Sequence, residues 1–313
     1  MTSFLRQRTP SVLSPTAVME APTTPTSTPL GSKHATLLSY NEMPDFCQDN
    51  AFILDAYRPV SHSTRACFAS LFSLHNETIN IYSHLIPGIL SLVAEGVMYH
   101  YLHTRYPKAA IGDYLVFAFF LLTATICLVT SATYHTLTNH SKNVSKLWLR
   151  LDFVGIIIFI LGEFVSWIGM IFYCESTVKW AYWAMMITLG FATILILMHP
   201  KFQDPRWRTF RIFIFVGIGL AGLAPLVHGI IVFGFSKMVK QSGMLYYFTK
   251  GFLLLLGTLF YTKRIPEALN PGKFDIFGAS HQIFHILVVF ASIVQSVGLL
   301  SAFDYNYHRT CDI

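Results

Sequence analysis

Residues 278–290 have the sequence Gly-Ala-Ser-His-Gln-Ile-Phe-His-Ile-Leu-Val-Val-Phe, in which a polar loop turns into a long apolar run. His281 and His285 are four residues apart, so on a helix both imidazoles project from one face, with Cβ atoms about 5–6 Å apart. Two ligands of one metal ion can use this spacing. Because polar groups in hydrocarbon are costly unless they are paired or coordinated, two histidines at the mouth of a membrane-length helix indicate a specific role.

The composition is that of an integral membrane protein. Of the 313 residues 53% are hydrophobic and only 12% are charged, which is too little charge to cover a globular surface. The formal net charge of +6 does not indicate a nucleic-acid partner, because Lys and Arg fall in short gaps between apolar runs and form no single patch. We therefore expect a multi-pass protein of the plasma membrane or the endoplasmic reticulum.

The cysteines show no pattern of a disulfide framework or a thiolate metal site. The sequence contains no C-x-x-C pair, and three of the five lie in or beside apolar segments, where Cys behaves as a small hydrophobic residue. We therefore predict no disulfide. The five are Cys47, Cys67, Cys127, Cys174 and Cys311.

The chain is predicted to have three parts. Residues 1–45 are rich in Pro, Ser and Thr, contain no apolar core typical of a signal peptide, and are expected to be disordered. Residues 46–79 are predicted to include a short amphipathic helix on the membrane surface, capped by Ser61 or Ser63. Residues 80–313 are predicted to form one membrane-embedded bundle.

Seven apolar runs each approach the ~20 residues that a membrane span requires. The predicted fold is therefore all-α, an integral membrane bundle of seven transmembrane helices with termini on opposite sides. The predicted spans are residues 80–102, 114–136, 151–174, 180–198, 210–235, 245–261 and 281–303.

The distribution of basic residues predicts the orientation. Fifteen Lys and Arg lie on the side of the N-terminus and six on the opposite side, with Lys250 inside the sixth run. By the positive-inside rule the N-terminus is cytoplasmic and the C-terminus is outside or lumenal. The sequons at Asn76, Asn139 and Asn143 all fall on the predicted cytoplasmic side, so glycosylation at Asn143 would contradict this orientation.

This orientation brings five polar residues to one membrane surface. Ser131 and His135 end the second span, Asp152 begins the third, and His281 and His285 begin the seventh. Three histidines at one depth predict a Zn²⁺ site with an open fourth position for water, which is the catalytic pattern. Asp152 would accept a hydrogen bond beside the ligands or act as general base, and Ser131 would bind the water or the substrate. The alternative is ordinary interfacial polarity near a helix end.

Other polar residues are given structural roles. Glu163 lies too deep for a ligand at this surface and is predicted to be a pocket or packing group. His228 lies toward the outer side and is not predicted to be a ligand, while Pro225 is predicted to kink the fifth helix. A cluster where the amphipathic segment enters the first span could line the cytoplasmic mouth or cap and hydrogen-bond, and the structural role is favoured. Its members are His75, Asn76, Glu77, Asn80 and His84.

Several stretches resemble the progestin and adipoQ receptor family, also called the haemolysin III-like family. They are residues 49–59 (DNAFILDAYRP), residues 71–85 (LFSLHNETINIYSHL), residues 271–285 (PGKFDIFGASHQIFH), and the Ser131-x-x-x-His135 and Leu151-Asp152 pairs. The likeness extends from about residue 45 to the end. The Gly222-x-x-Pro225-x-x-His228 run is similar to the fungal branch, the implicated-in-zinc-homeostasis proteins.

The resemblance implies a seven-helix bundle with zinc held by three histidines near the inner face. His135, His281 and His285 match those ligand positions, and Ser131 and Asp152 match the serine and aspartate beside the metal. The similar animal receptors are associated with ceramide hydrolysis, and the fungal relatives with zinc and sterol homeostasis and the sensing of plant defence proteins. The implied partners are thus a membrane lipid of the ceramide, fatty acid or sterol class and an extracellular protein ligand.

Three functions are compatible with these residues. The first is a zinc-dependent amidohydrolase acting on a ceramide-like lipid, and the second is a receptor or regulator of metal and sterol homeostasis in which zinc is structural. Both need the same ligands, so the sequence leaves the choice between them open. A zinc transporter is disfavoured because the polar residues concentrate at one face and form no path across the bilayer. The sequence does not predict the oligomeric state.

Overall fold

A computed structural model describes residues 36–203, 205–309 and 311, and within these residues every long element is an α-helix. Seven helical units are long and apolar enough to cross a membrane, which confirms the predicted seven-span fold. The helices are α1 (Thr64–Ala69), α2 (Thr78–Arg105), α3 (Ile111–Leu137), α4 (Lys142–Ile171), α5 (Ser176–Met198), α6 (Arg208–Leu220), α7 (Leu223–Phe233), α8 (Phe235–Gln241), α9 (Met244–Lys263) and α10 (Ser280–Tyr307).

The third and fifth of the seven helical units end three and two residues earlier than predicted, whereas all seven begin before the predicted apolar runs, most clearly α4. This helix begins at Lys142 although its apolar run begins at Leu151, because helical hydrogen bonding continues through the polar residues that precede the run. The fifth span is interrupted between α6 and α7 at Ala221 and Gly222. Ala221 is four residues before Pro225, whose ring clashes with the carbonyl at that position, so the predicted kink is present.

The N-terminal segment is ordered earlier than predicted. Residues 1–35 of the predicted disordered tail lie outside the described residues, but Leu38 already pairs with Tyr57 through two backbone hydrogen bonds of 2.7 and 2.9 Å. Met43 is buried in a small cluster with Tyr57. In α1 the Ser63 hydroxyl accepts a hydrogen bond from the amide of Ala66 at 3.3 Å, which confirms Ser63 as the helix cap.

Helix α4 is the centre of the bundle and packs closely against α3. In its most apolar window 67% of the residues are buried, compared with 17% in α2. A Cβ atom added at Gly162 would lie 1.8 Å from the Thr123 hydroxyl, and one at Gly155 would lie 2.4 Å from that of Thr130. The two glycines therefore allow the backbones of α3 and α4 to approach, as small residues do in membrane bundles. This contact fixes Asp152 on α4 relative to the end of α3.

A disulfide links Cys174, after α4, to Cys311, after α10, so the prediction that the cysteines form no disulfide is wrong. The two residues are 137 positions apart, and local spacing rules cannot detect a pair that only the tertiary fold brings together. The bond lies at the end of the bundle opposite to His281, because α10, with 28 residues, is about 42 Å long. Since disulfides persist in oxidising compartments, a disulfide at this end is compatible with the predicted orientation.

Two deep polar residues have partners inside the bundle. The Glu163 carboxylate on α4 lies 3.2 Å from the Lys250 ammonium on α9, and both side chains are 6% exposed. The hydroxyl of Tyr182 lies 3.0 Å from Nδ1 of His228. Glu163 is therefore half of a buried ion pair, and His228 is bonded to a neighbouring helix away from the other histidines.

Candidate metal centre

Three histidines from two helices meet at the end of the bundle that carries the N-terminal segment. His135 lies near the end of α3, and His281 and His285 lie in the first two turns of α10. One ligand atom from each lies within 4.8 Å of those of the other two. The Nε2 atoms of His135 and His281 are 3.3 Å apart. The structure thus brings together the three residues that the sequence predicts as ligands.

Hydrogen bonds at the far side of two rings determine which nitrogen faces the centre. Nδ1 of His285 lies 3.1 Å from the carbonyl oxygen of Asn80, which can only accept, so Nδ1 carries the proton and donates it. Nδ1 of His135 lies 2.8 Å from a carboxylate oxygen of Glu77 and donates in the same way. Each Nε2 therefore presents a lone pair toward the centre, as a metal ligand requires.

The separation of two of the three imidazoles matches that of two ligands of one divalent ion. Two ligands that are each about 2.0–2.1 Å from one tetrahedral ion lie roughly 3.3 Å from each other, which agrees with the separation of the two Nε2 atoms. His135 and His285 are 3% and 2% exposed, so the lone pairs have little access to water. Three neutral nitrogen donors are a ligand set that zinc accepts with a fourth position left for water or substrate.

Ser131 and Asp152 lie beside the histidines, as the sequence predicts. Both are buried, and the Ser131 hydroxyl is a hydrogen-bond neighbour of the Asp152 carboxylate. The same hydroxyl lies 2.8 Å from Nδ1 of His84 on α2, and the His84 ring stacks on the His285 ring with centroids 3.7 Å apart. His84 therefore has the structural, hydrogen-bonding role predicted for it.

Two buried charged residues hold the helix ends that carry the ligands, and the sequence did not single out either. The Arg58 guanidinium donates to the carbonyl oxygens of His135 at 2.7 Å and Thr136 at 3.0 Å, which have no partner within α3. A carboxylate oxygen of Glu267 accepts from the Ser280 amide at 2.7 Å, at the first residue of α10. These bonds satisfy the terminal groups of α3 and α10 and fix His135 against His281.

Glu77 contacts a proposed ligand directly, although sequence reasoning favoured a structural role for it. Burial acts to raise the pKa of its carboxyl group, but hydrogen bonds from His135 and Asn80 favour the ionised form and hold the pKa below its usual range. The ionised carboxylate fixes the His135 tautomer and increases the basicity of Nε2. The sequence contains a signal for this contact, because residue 77 precedes the first span at the same end of the bundle as His135.

Replacing Glu77 with glutamine is expected to weaken metal binding by about 10–100-fold, the cost typical of losing a carboxylate partner of a metal-bound imidazole. The amide keeps the shape of the side chain but not its charge. The measurement is competitive titration of the purified protein with a zinc chelator, and Glu175→Gln at the opposite end serves as the control. Equal affinity in Glu77→Gln and wild type would contradict this role.

Comparison with known proteins gives consistent matches along most of the chain. The model of a family described as haemolysin-III related matches residues 72–296. The chain is 37% identical over 260 residues to an adiponectin receptor protein of Drosophila melanogaster, which covers 83% of this chain and 58% of that protein. It is 34% identical over 272 residues to the ADIPOR-like receptor IZH2 of Saccharomyces cerevisiae, covering 86% and 84% of the two chains.

A third relative, the progestin and adipoQ receptor-like protein 1 of Caenorhabditis elegans, is 38% identical over 279 residues, covering 88% of this chain and 63% of that protein. The chain thus spans less than two thirds of the length of the Drosophila and Caenorhabditis relatives.

Proposed function

This chain belongs to the haemolysin-III related family, and from that membership we propose that it is a zinc-dependent amidohydrolase that acts on a membrane lipid of the ceramide class. The observation that supports the proposal most is the juxtaposition of three inward-facing imidazoles with the Asp152 carboxylate and the Ser131 hydroxyl in a buried part of the bundle. His135, His281 and His285 would hold the zinc. When bound, zinc supplies a Lewis acid and a nucleophilic water at neutral pH.

Amide hydrolysis must transfer a proton, and the residues beside the histidines would carry it. Hydrolysis breaks the C–N bond, forms a C–O bond to water, and transfers a proton from that water to the leaving amine. The Asp152 carboxylate would accept the proton and return it to the nitrogen. The Ser131 hydroxyl, held between His84 and Asp152, keeps the carboxylate in one orientation. Burial excludes bulk water, which strengthens these interactions.

The location of the site favours a lipid substrate. The histidines lie in the first turns of a membrane-length helix, so a substrate that reaches them has its polar linkage near the membrane surface and its chains among the helices. A ceramide has this form, with an amide close to the headgroup and two long chains.

Replacing Asp152 with asparagine is expected to leave bound zinc unchanged and to lower ceramide turnover by about 10²–10⁴-fold, the range that a general acid–base group contributes. Zinc content and fatty-acid release are measured on the same purified sample, because retained zinc distinguishes lost chemistry from a lost site. Asp45→Asn, an exposed carboxylate in the N-terminal segment, is the control. Full turnover by Asp152→Asn would contradict a role for this carboxylate as the base.

A receptor or regulator with a structural zinc is the second candidate, and the names of the relatives favour it, since the Drosophila and Saccharomyces proteins are both named as receptors. The two functions differ in one observable property. Wild-type protein that holds zinc, keeps its fold and releases no fatty acid across a panel of ceramides would support the receptor over the hydrolase.

A further inference from the structure

A polar cavity, separate from the histidine cluster, lies at the same end of the bundle, between the start of α6 and the end of α9. Its volume is about 490 Å³, and it is open to the surface. The N-terminal segment closes one side. The charged residues of its lining are Asp49, Arg208, Lys263 and Arg264.

No carboxylate of the residues that the structure describes pairs directly with the cations of this cavity. Among the described residues, Arg208, Lys263 and Arg264 form no ion pair within 4.0 Å of a carboxylate, and this includes the carboxylate of Asp49. Arg264 donates instead to the backbone oxygen of Asp49 at 2.6 Å. Lys263 is exposed and makes no side-chain hydrogen bond within the described part of the chain. Three cations thus surround one open volume.

Contacts with Tyr261 hold Arg208 in place and leave some of its N–H donors without a partner in the described structure. Its guanidinium donates to the backbone oxygen of Tyr261 at 2.5 Å and lies 4.1 Å from the centroid of the Tyr261 ring. Its Nε atom is buried and has no hydrogen-bond partner in the described structure. The other N–H groups of the guanidinium have no carboxylate partner within 4.0 Å among the described residues, and an anion in the cavity would supply one.

The backbone conformation of Arg264 also favours a ligand site. This residue ends α9 in the left-handed region with φ of 53°, where glycine or asparagine is the usual choice. An arginine at such a position has a backbone strain that glycine would avoid, and strained residues of this kind cluster at ligand sites.

We propose that this cavity binds the phosphate of an anionic membrane lipid. Phosphate recognition uses guanidinium and ammonium donors, and this cavity contains two guanidinium groups and one ammonium group. The planar guanidinium matches the geometry of phosphate oxygens, and the three cations exceed what the single carboxylate of the cavity could pair with. The cavity lies where one span begins and another ends, which is the depth of lipid headgroups, and basic pockets between helices bind such headgroups. Ceramide carries no phosphate, so this lipid is distinct from the proposed substrate, and the site does not depend on the proposed reaction.

The site is close enough to the metal centre to influence it. The Tyr261 ring, beneath the Arg208 guanidinium, lies 5.3 Å from the His281 ring between centroids. A phosphate that fixes Arg208 therefore also fixes the aromatic neighbour of one proposed ligand.

The test compares lipid retention by the full chain in nanodiscs of phosphatidylcholine alone and of phosphatidylcholine with phosphatidic acid. Bound lipid is counted by native mass spectrometry after the protein is released into detergent. Wild type is expected to retain phosphatidic acid, and Arg208→Gln/Lys263→Gln to retain about a hundredfold less, since each of the two charge-assisted hydrogen bonds to phosphate is worth about one decade. The control is Lys142→Gln/Lys146→Gln, which removes two exposed charges outside the cavity.

Equal retention by the cavity variant and wild type would overturn the proposal, and so would equal loss in the control, which would show only general attraction to basic residues. Lys263→Gln alone, an exposed change, repeats the test if the double variant does not fold. Inorganic phosphate is the second probe. Thermal stabilisation by inorganic phosphate, without any preference for phosphatidic acid, would overturn the assignment to a lipid.

Discussion

His135→Ala is expected to reduce bound zinc from about one ion per chain to a small fraction of that, and to abolish any hydrolysis. Changing only the partner of a metal-bound imidazole costs about 10–100-fold in affinity, so the loss of a ligand itself costs more. His135 is the one proposed ligand from α3, and it is also bonded to Glu77, so its removal separates α3 from the pair on α10. The measurement is metal analysis of the purified, folded protein.

His140→Ala is the matched control, because His140 follows the same helix but lies outside the cluster. It is expected to hold as much zinc as wild type. Wild-type zinc content in His135→Ala would contradict a site built from these three histidines, and a loss in both variants would indicate a general effect on folding.

Breaking the Glu163–Lys250 pair is expected to destabilise the protein by about 3–5 kcal/mol, the cost of leaving one buried charge without its partner. Both side chains are 6% exposed, and the Lys250 ammonium also lies 4.9 Å from the Tyr247 ring centroid. Among these contacts, Glu163→Leu leaves the Lys250 ammonium with two aromatic rings, Tyr247 and Phe164, the second at 5.8 Å from its centroid, and with no opposite charge. The change is measured as the shift in the unfolding midpoint of the detergent-solubilised protein.

The double variant Glu163→Leu/Lys250→Met separates the charge effect from packing. Replacing a buried ion pair by apolar residues of similar volume is often neutral, so the double variant is expected to recover most of the stability lost in Glu163→Leu. Lys108→Met, an exposed change at the opposite membrane face from the histidines, is the control and should be neutral. A double variant as unstable as the single one would contradict the charge argument.

The sequence predicts those parts of the site that depend on residue spacing within one helix or on the depth of a residue in the membrane. His281 and His285 share a helical face, and the order of the spans places His135 and Asp152 at the same membrane surface, so apolar periodicity alone brings these residues together. The seven spans follow from the same apolar runs.

The parts that the sequence does not predict depend on which helices are neighbours. Glu163 and Lys250 pair because α4 and α9 face each other at one depth, and Cys174 meets Cys311 because α4 and α10 end at the same level. Arg58 reaches the end of α3 only because the N-terminal segment folds back over the bundle. Each is a tertiary contact between distant residues, and residue spacing contains no information about it.

The X-ray absorption spectrum at the zinc edge of the protein as purified tests the proposed metal centre most directly. Three histidine ligands with one further light ligand predict only nitrogen and oxygen neighbours at about 2.0–2.1 Å, with the outer scattering of imidazole rings. Sulfur neighbours at about 2.3 Å, or a folded and carefully prepared protein without zinc, would contradict it.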